Sequence, residues 1–222
     1  MSKKTKRSPE TTKQDNTAKT TKQSYSDRLD ILIIGEGKEE EGYLKSLGKC
    51  RFWSTEFKVK IVSADGIDNI VNTYTDMFRN EQFDLIFIVC DTEKTPEKPY
   101  EQYLNVRKDL NNVNPRKRIG DHIVFFANPN TMQIILSHFK DVKLTESSKT
   151  ANASKIEDCT GVKNYSAKKC GEIFKQITPE NSELMLSRIK ILPRDYTAVP
   201  SSNMYDLFNP LHNGDKDKVR DL

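Results

Sequence analysis

The chain contains no apolar stretch approaching the roughly 18–20 residues that a bilayer-spanning helix requires. Its strongest apolar runs, at 29–34 and 85–90, are short, and the first is interrupted by Asp30. Together with a mean hydropathy of −0.72, this excludes a helical membrane protein. No apolar segment follows the lysine-rich N-terminus, so a secretory signal is not expected. Cysteine is scarce: Cys50, Cys90, Cys159 and Cys170 form no Cys-x-x-Cys pair, which excludes a zinc ribbon or a disulfide framework. Reduced thiols in a cytoplasmic protein are expected. Gly35-Glu36-Gly37 lacks the Gly-Lys-Ser/Thr ending of a P-loop. Tyr165 carries no signature of a topoisomerase nucleophile, His122 and His212 have no triad partners in sequence, and there is no internal repeat.

What is present is charge, unevenly placed. Residues 1–28 carry eight basic side chains against three acidic ones, whereas the remainder carries 28 basic against 29 acidic. The overall basicity, with a pI near 8.7, therefore belongs to the tail. A nearly neutral body can hold a polyanion only through a local basic patch or a bound metal ion. The tail is polar and almost free of apolar side chains, so it is expected to be disordered, serving as a solubilising segment or a salt-sensitive arm for phosphate backbones.

Periodicity organises the rest. Near-continuous apolar runs at 29–34, 57–62, 85–90 and 122–126 read as strands. Helical patterns at 39–47, 66–79 and 100–110 separate them, and Asn128-Pro129 is expected to cap and start a further helix. In the second helix the stripe is Ile67, Ile70, Val71, Tyr74, Met77 and Phe78; in the last it is Met132, Ile135, Leu136 and Phe139. Alternating strands and helices predict an α/β domain at 29–145, a mostly parallel, Rossmann-like sheet flanked by helices. A C-terminal helical extension, 146–222, is expected to pack on the same domain. Within it, 141–160 reads as a loop, 166–177 and 179–191 as helices, and 215–222 as a charged tail.

Ligands of open parallel sheets bind beyond the carboxyl ends of the strands. Glu36 follows the first strand there, and Asp91 and Glu93 follow the third. Residues i and i+2 of an extended segment project to one side, so Asp91 and Glu93 can share a ligand. If the first and third strands are neighbours, all three carboxylates converge. Like charges so placed repel, and a hard divalent cation, Mg²⁺ or Mn²⁺, relieves the repulsion. Such a site suits phosphoryl chemistry. The competing reading of each acid is a loop residue or a helix cap. Glu39, Glu40 and Glu41 read as a solvated first helical turn, with Glu41 held as a further candidate ligand.

These segments resemble the Toprim superfamily. Residues 31–44, with Glu36-Gly37 closing a strand, are similar to its opening motif, and residues 84–93 are similar to its strand ending in an acid-x-acid pair. The nearer resemblance is to the RloB-like, abortive-infection (AbiL-type) branch, with an Glu-Gly-x-x-x-Glu opening and an Asn-Pro-led helix ending in His-Phe, here 128–139. Residues 200–207 are similar to that branch's Asn/Ser-rich turn before its last helix, so the likeness runs over about 29–211. It implies a Toprim-like fold, a metal-dependent nuclease subunit of an anti-phage system, a nucleic-acid substrate and a companion ATPase. The chain departs from the pattern at Glu93, where Asp is usual, at Met132, where relatives often carry an acid, and at Gly42, where proline is common.

Candidate substrate contacts are Lys38, the cluster Arg116-Lys117-Arg118, Asn128 and His138, though a helix cap (Asn128), a solvated loop (116–118) and a structural histidine (His138) are the competing readings. The functional expectation is a Mg²⁺- or Mn²⁺-dependent endonuclease with Glu36, Asp91 and Glu93 as catalytic ligands. Its alternatives are a catalytically weak Toprim-fold subunit that binds or regulates an ATPase, and a nucleotide phosphotransferase or primase-like activity. No membrane contact is expected, and a homo-oligomer is possible.

Overall fold

A computed structural model describes residues 28–80, 83–92, 100–148 and 150–222. The expected disordered tail therefore falls, but for Arg28, outside the described residues, as does Glu93. Five strands form one sheet: β1 (Leu29–Gly35), β2 (Phe57–Ser63), β3 (Leu85–Asp91), β4 (Val124–Asn128) and β5 (Ser201–Ser202), in the order β2-β1-β3-β4-β5. The first four are parallel, and β5 runs antiparallel to β4. The first and third strands are thus direct neighbours, with Gly35 opposite Val89.

The period-2 alternation of β1 explains why the sheet is covered on both sides. Ile31 and Ile33 enter one core with Phe87, Val89 and Phe125. Leu32 and Ile34 enter the other with Ile86, Ile88 and Phe126. The second face is covered by α2 (Ile70–Arg79), which follows a 3₁₀ turn at Ile67–Asn69, and by α3 (Glu101–Val113). Ile70 and Tyr74 of α2, and Tyr103, Val106 and Leu110 of α3, fall at helical spacing and are buried. Phe78 does not join them: it stacks on Tyr74 and is 56% exposed.

The first face is covered by α1 (Lys38–Lys49), α4 (Met132–Leu136) and the C-terminal elements: α5 (Ala153–Thr160), α6 (Cys170–Phe174), α7 (Pro179–Ile189), α8 (Met204–Asn213) and α9 (Lys216–Arg220). Ile156, Ile173, Met185, Phe208 and Val219 share one core with Ile31 and Tyr43, so the C-terminal third completes the sheet's cover. At roughly 1.5–3 kcal/mol per buried large apolar side chain, these contacts dominate its attachment.

The structure revises four local expectations. Residues 153–160 are helical, not loop, because Ile156 and Thr160 face the core although the segment is too short and polar to show a period. Residues 216–220 form a helix anchored by buried Val219, with Asp215 capping it through Lys218 N–H at 3.1 Å. The fourth strand lies two residues later than expected, because residues 119–121 form a 3₁₀ turn whose carbonyl at Ile119 accepts from both His122 N–H and Ile123 N–H. Asn128 is the last residue of β4, not a helix cap; the following helix begins only at Met132.

Candidate functional site

The loops after β1 and β3 bring two of the expected acids together. Glu36 N–H donates to Val89 O at 3.0 Å, which carries the β1–β3 ladder one residue past the strand. The Glu36 side chain then turns across: Oε2 accepts from Asp91 N–H at 3.0 Å. Both residues are half-buried at the mouth of the sheet. Asp91 Oδ1 accepts two further bonds, from Thr131 N–H at 2.6 Å and from the Thr131 hydroxyl at 2.7 Å. Thr131, which precedes α4, was not anticipated; bonds between residues forty apart have no signature in local sequence.

A third acid lies beneath them. Glu40 is only 6% exposed, and its Oε2 accepts from Gly37 N–H at 2.9 Å. Turn and helix are in close contact here: a Cβ on Gly35 would sit 2.9 Å from Glu40 Cβ. Glu40 was expected on a solvated turn. Its phase shows otherwise, since Glu40, Tyr43, Leu44 and Leu47 fall at i, i+3, i+4 and i+7, the buried face of α1. Glu41, the acid held as a further ligand, instead points outward, pairing with Lys45 at 2.7 Å and Lys38 at 3.2 Å. Those pairs hold its carboxyl below the usual range.

The electrostatics follow from this crowding. Burial raises the Asp91 carboxyl well above its usual range, and the charges of Glu40 and then Glu36 push it the same way, against the two Thr131 bonds. The neighbouring Cys90 thiol is likewise pushed well up by burial and by Glu36, Asp91 and Glu40, so it stays protonated and is not a nucleophile. Next to Asp91, the buried Thr92 hydroxyl has no hydrogen-bond partner among the described residues.

Among the described residues no three His, Cys, Asp or Glu side chains form a ready metal cage. The donor chemistry nevertheless fits a hard cation: the groups are oxygen-only and acidic, and the charges of Glu40 and Glu36 add to the burial that raises the Asp91 carboxyl. Glu36 and Asp91 are the two that converge; the position of Glu93 lies outside the described residues.

The remaining candidates are dispersed. Lys38 stands at the rim of the site, 71% exposed, tied to Asp65 at 3.1 Å as well as to Glu41. Arg116, Lys117 and Arg118 precede β4, so the parallel sheet places them at the opposite end from Glu36 and Asp91; Arg118 pairs with Asp121 at 2.8 Å. Asn128 is fully buried, and its amide donates to Tyr196 O at 2.7 Å and Ala198 O at 2.9 Å. It anchors the C-terminal segment and has no exposed surface for a substrate. His138 is also buried, bonded to the Tyr43 hydroxyl at 3.0 Å and to Asn181 Oδ1 at 3.1 Å. Burial lowers its pKa to about 4, so it is a neutral structural bridge. Met132, in the place where relatives of the resembled family often carry an acid, lies in the apolar core.

No family model, no curated protein and no solved structure matches this chain. No described helix is long and apolar enough to cross a membrane.

Proposed function

We propose that the protein is a Toprim-type, divalent-metal-dependent nuclease subunit that cleaves phosphodiester bonds in a nucleic acid. The observation that carries this reading is the meeting of Glu36 and Asp91, fifty-five residues apart, through the 3.0 Å bond from Asp91 N–H to Glu36 Oε2. Mg²⁺ or Mn²⁺ would be held by Glu36 and Asp91, and when bound it supplies Lewis-acid activation of a phosphate and of a water molecule. The chain's own groups do the rest. Thr131 fixes the orientation of Asp91 by committing its Oδ1 to two bonds. Glu40 adds negative charge from below and strengthens cation selectivity. Lys38, exposed at the rim, would exchange its pairs with Asp65 and Glu41 for a phosphate of the backbone.

The test is Mn²⁺ titration by calorimetry, with cleavage of oligonucleotides alongside it. The wild-type chain binds Mn²⁺ and degrades an oligonucleotide; Glu36→Gln loses both. Absence of Mn²⁺ binding, or an unchanged Glu36→Gln variant, overturns the nuclease reading.

A second reading, a catalytically weak subunit that keeps the fold for binding, is favoured by the lack of a complete three-acid cage among the described residues and by the apolar environment of Met132. It calls for the opposite result in the same titration. The assignment to an abortive-infection system with a companion ATPase rests on the sequence resemblance alone. Its test is growth arrest by the wild-type chain, lost in Asp91→Ala, with co-purification of an ATPase from the native host.

A further inference from the structure

Only two of the described arginines are half-buried, Arg107 and Arg188. Arg107 meets a carboxylate, Asp121, at 2.8 Å. The exposed Arg118 and Arg194 also pair with acids. Arg188, on the last turns of α7, makes no ion pair with any described residue. Its one hydrogen bond runs from Nη1 to Ser137 O at 2.6 Å. A guanidinium carries five N–H donors, and removing it from water without a counter-charge is costly. An arginine so placed on a cavity wall has N–H donors left to offer an anion.

The cavity is present. Arg188 lines a hollow of about 250 Å³ together with Gln133, Ser137, Leu192 and Val199. Its wall is fixed: the Gln133 amide donates to Val142 O and accepts from Leu144 N–H, both at 2.8 Å, so both ends of Gln133 are engaged with backbone. Leu192, Pro193, Val199 and Pro200 make the opposite side apolar. At the rim stand Lys143 and Asp141, each exposed. Two cations against one acid leave a single positive charge, which matches a monoanion better than a dianion.

We infer that this cavity binds a small organic monoanion, a carboxylate with a compact apolar body, whose charged end docks on the Arg188 guanidinium. The planar fork of arginine matches a carboxylate's two oxygens. The volume lies below the ~300–1,000 Å³ of ordinary ligand pockets, which favours a short branched or cyclic acid over a nucleotide. The site is separate from the acids at the mouth of the sheet and does not depend on the nuclease reading.

The experiment is a titration of the ¹⁵N-labelled full chain with 4-methylpentanoate, with its uncharged amide and with inorganic phosphate, followed by amide shifts. The carboxylate shifts the amides of Gln133, Ser137, Val142, Arg188 and Leu192. The amide analogue binds at least about tenfold more weakly, a factor worth roughly 1.4 kcal/mol. Arg188→Gln, which can still donate to Ser137 O, abolishes the response. Should that variant fail to fold, Val199→Phe fills the hollow and abolishes the response with Arg188 in place. Equal binding of acid and amide, a stronger response to phosphate, or no shift at these residues overturns the inference.

Discussion

Thr131 donates twice to one oxygen of Asp91, through its backbone N–H at 2.6 Å and its hydroxyl at 2.7 Å. Hydrogen bonds to a charged acceptor contribute about 1.5–3 kcal/mol each. Thr131→Val keeps the shape and the backbone bond and removes the hydroxyl bond alone. We expect Mn²⁺ affinity to fall about tenfold or more, and Thr131→Ser to restore it. Calorimetry decides, and equal affinity in all three proteins removes Thr131 from the site.

Asp91 is destabilised where it stands, by burial and by Glu40 and Glu36. Asp91→Asn keeps an acceptor for Thr131 and deletes the charge. In metal-free buffer near pH 8 this variant is expected to be the more stable protein, with Tm raised by about 2–4 °C for each kcal/mol relieved. Addition of Mn²⁺ stabilises the wild type and not the variant. Thermal melts with and without Mn²⁺ check both halves.

Two adjacent glutamates separate the buried from the solvated face of α1. Glu40→Gln is expected to weaken Mn²⁺ binding by about tenfold or more, because a charge 6% exposed acts through little water. Glu41→Gln, which removes only surface pairs with Lys38 and Lys45, changes stability by less than about 1 kcal/mol and leaves the metal affinity in place. Reversal of this ranking in calorimetry returns Glu41 to candidacy.

His138 sets a pH dependence of known sign. Burial favours the neutral ring: Asn181 Oδ1 accepts from Nδ1–H, because the Asn181 amide NH₂ is already directed to Gln176 O, which leaves the unprotonated Nε2 of the neutral ring to accept from the Tyr43 hydroxyl. The folded pKa of about 4 lies below the ordinary value of about 6.5. The unfolded chain therefore binds the extra proton first. The His138 contribution is complete above about pH 6.5, declines as pH falls, and is lost on passing about pH 4; its size is on the order of 3 kcal/mol. Urea denaturation of wild type and His138→Gln at pH 7 and pH 4.5 tests it, since the variant lacks this slope. Asp91 acts in the opposite direction in both proteins and cancels in the difference.

The parts of the fold legible in sequence were those fixed by local pattern. The runs at 29–34 and 85–90 marked two central strands because strands buried on both faces need near-continuous apolar residues. Glu36 and Asp91 followed from where those runs stop. Glu40 was also legible, in phase with Tyr43 and Leu47, but three consecutive glutamates suggested solvent more strongly than the period suggested burial. Asn128 was misplaced for a different reason. Before a proline it has the local chemistry of a helix cap, and its partners in the sheet, Ser201 of β5 and the carbonyls of Tyr196 and Ala198, lie some seventy residues away. Thr131 and Arg188 were invisible for the same cause, their partners being distant.

The Asn203 side chain accepts from Phe126 N–H at 2.7 Å and donates to Val124 O at 3.2 Å, standing in for a strand along β4 where β5 supplies only two residues. That border of the sheet is thereby sealed by a carboxamide. Among the described residues, the β4 backbone at 124 and 126 is thus closed to a strand from a second copy, and the other border of the sheet, β2, carries the exposed Lys58 and Lys60, of which Lys58 is paired with Asp30 at 3.3 Å.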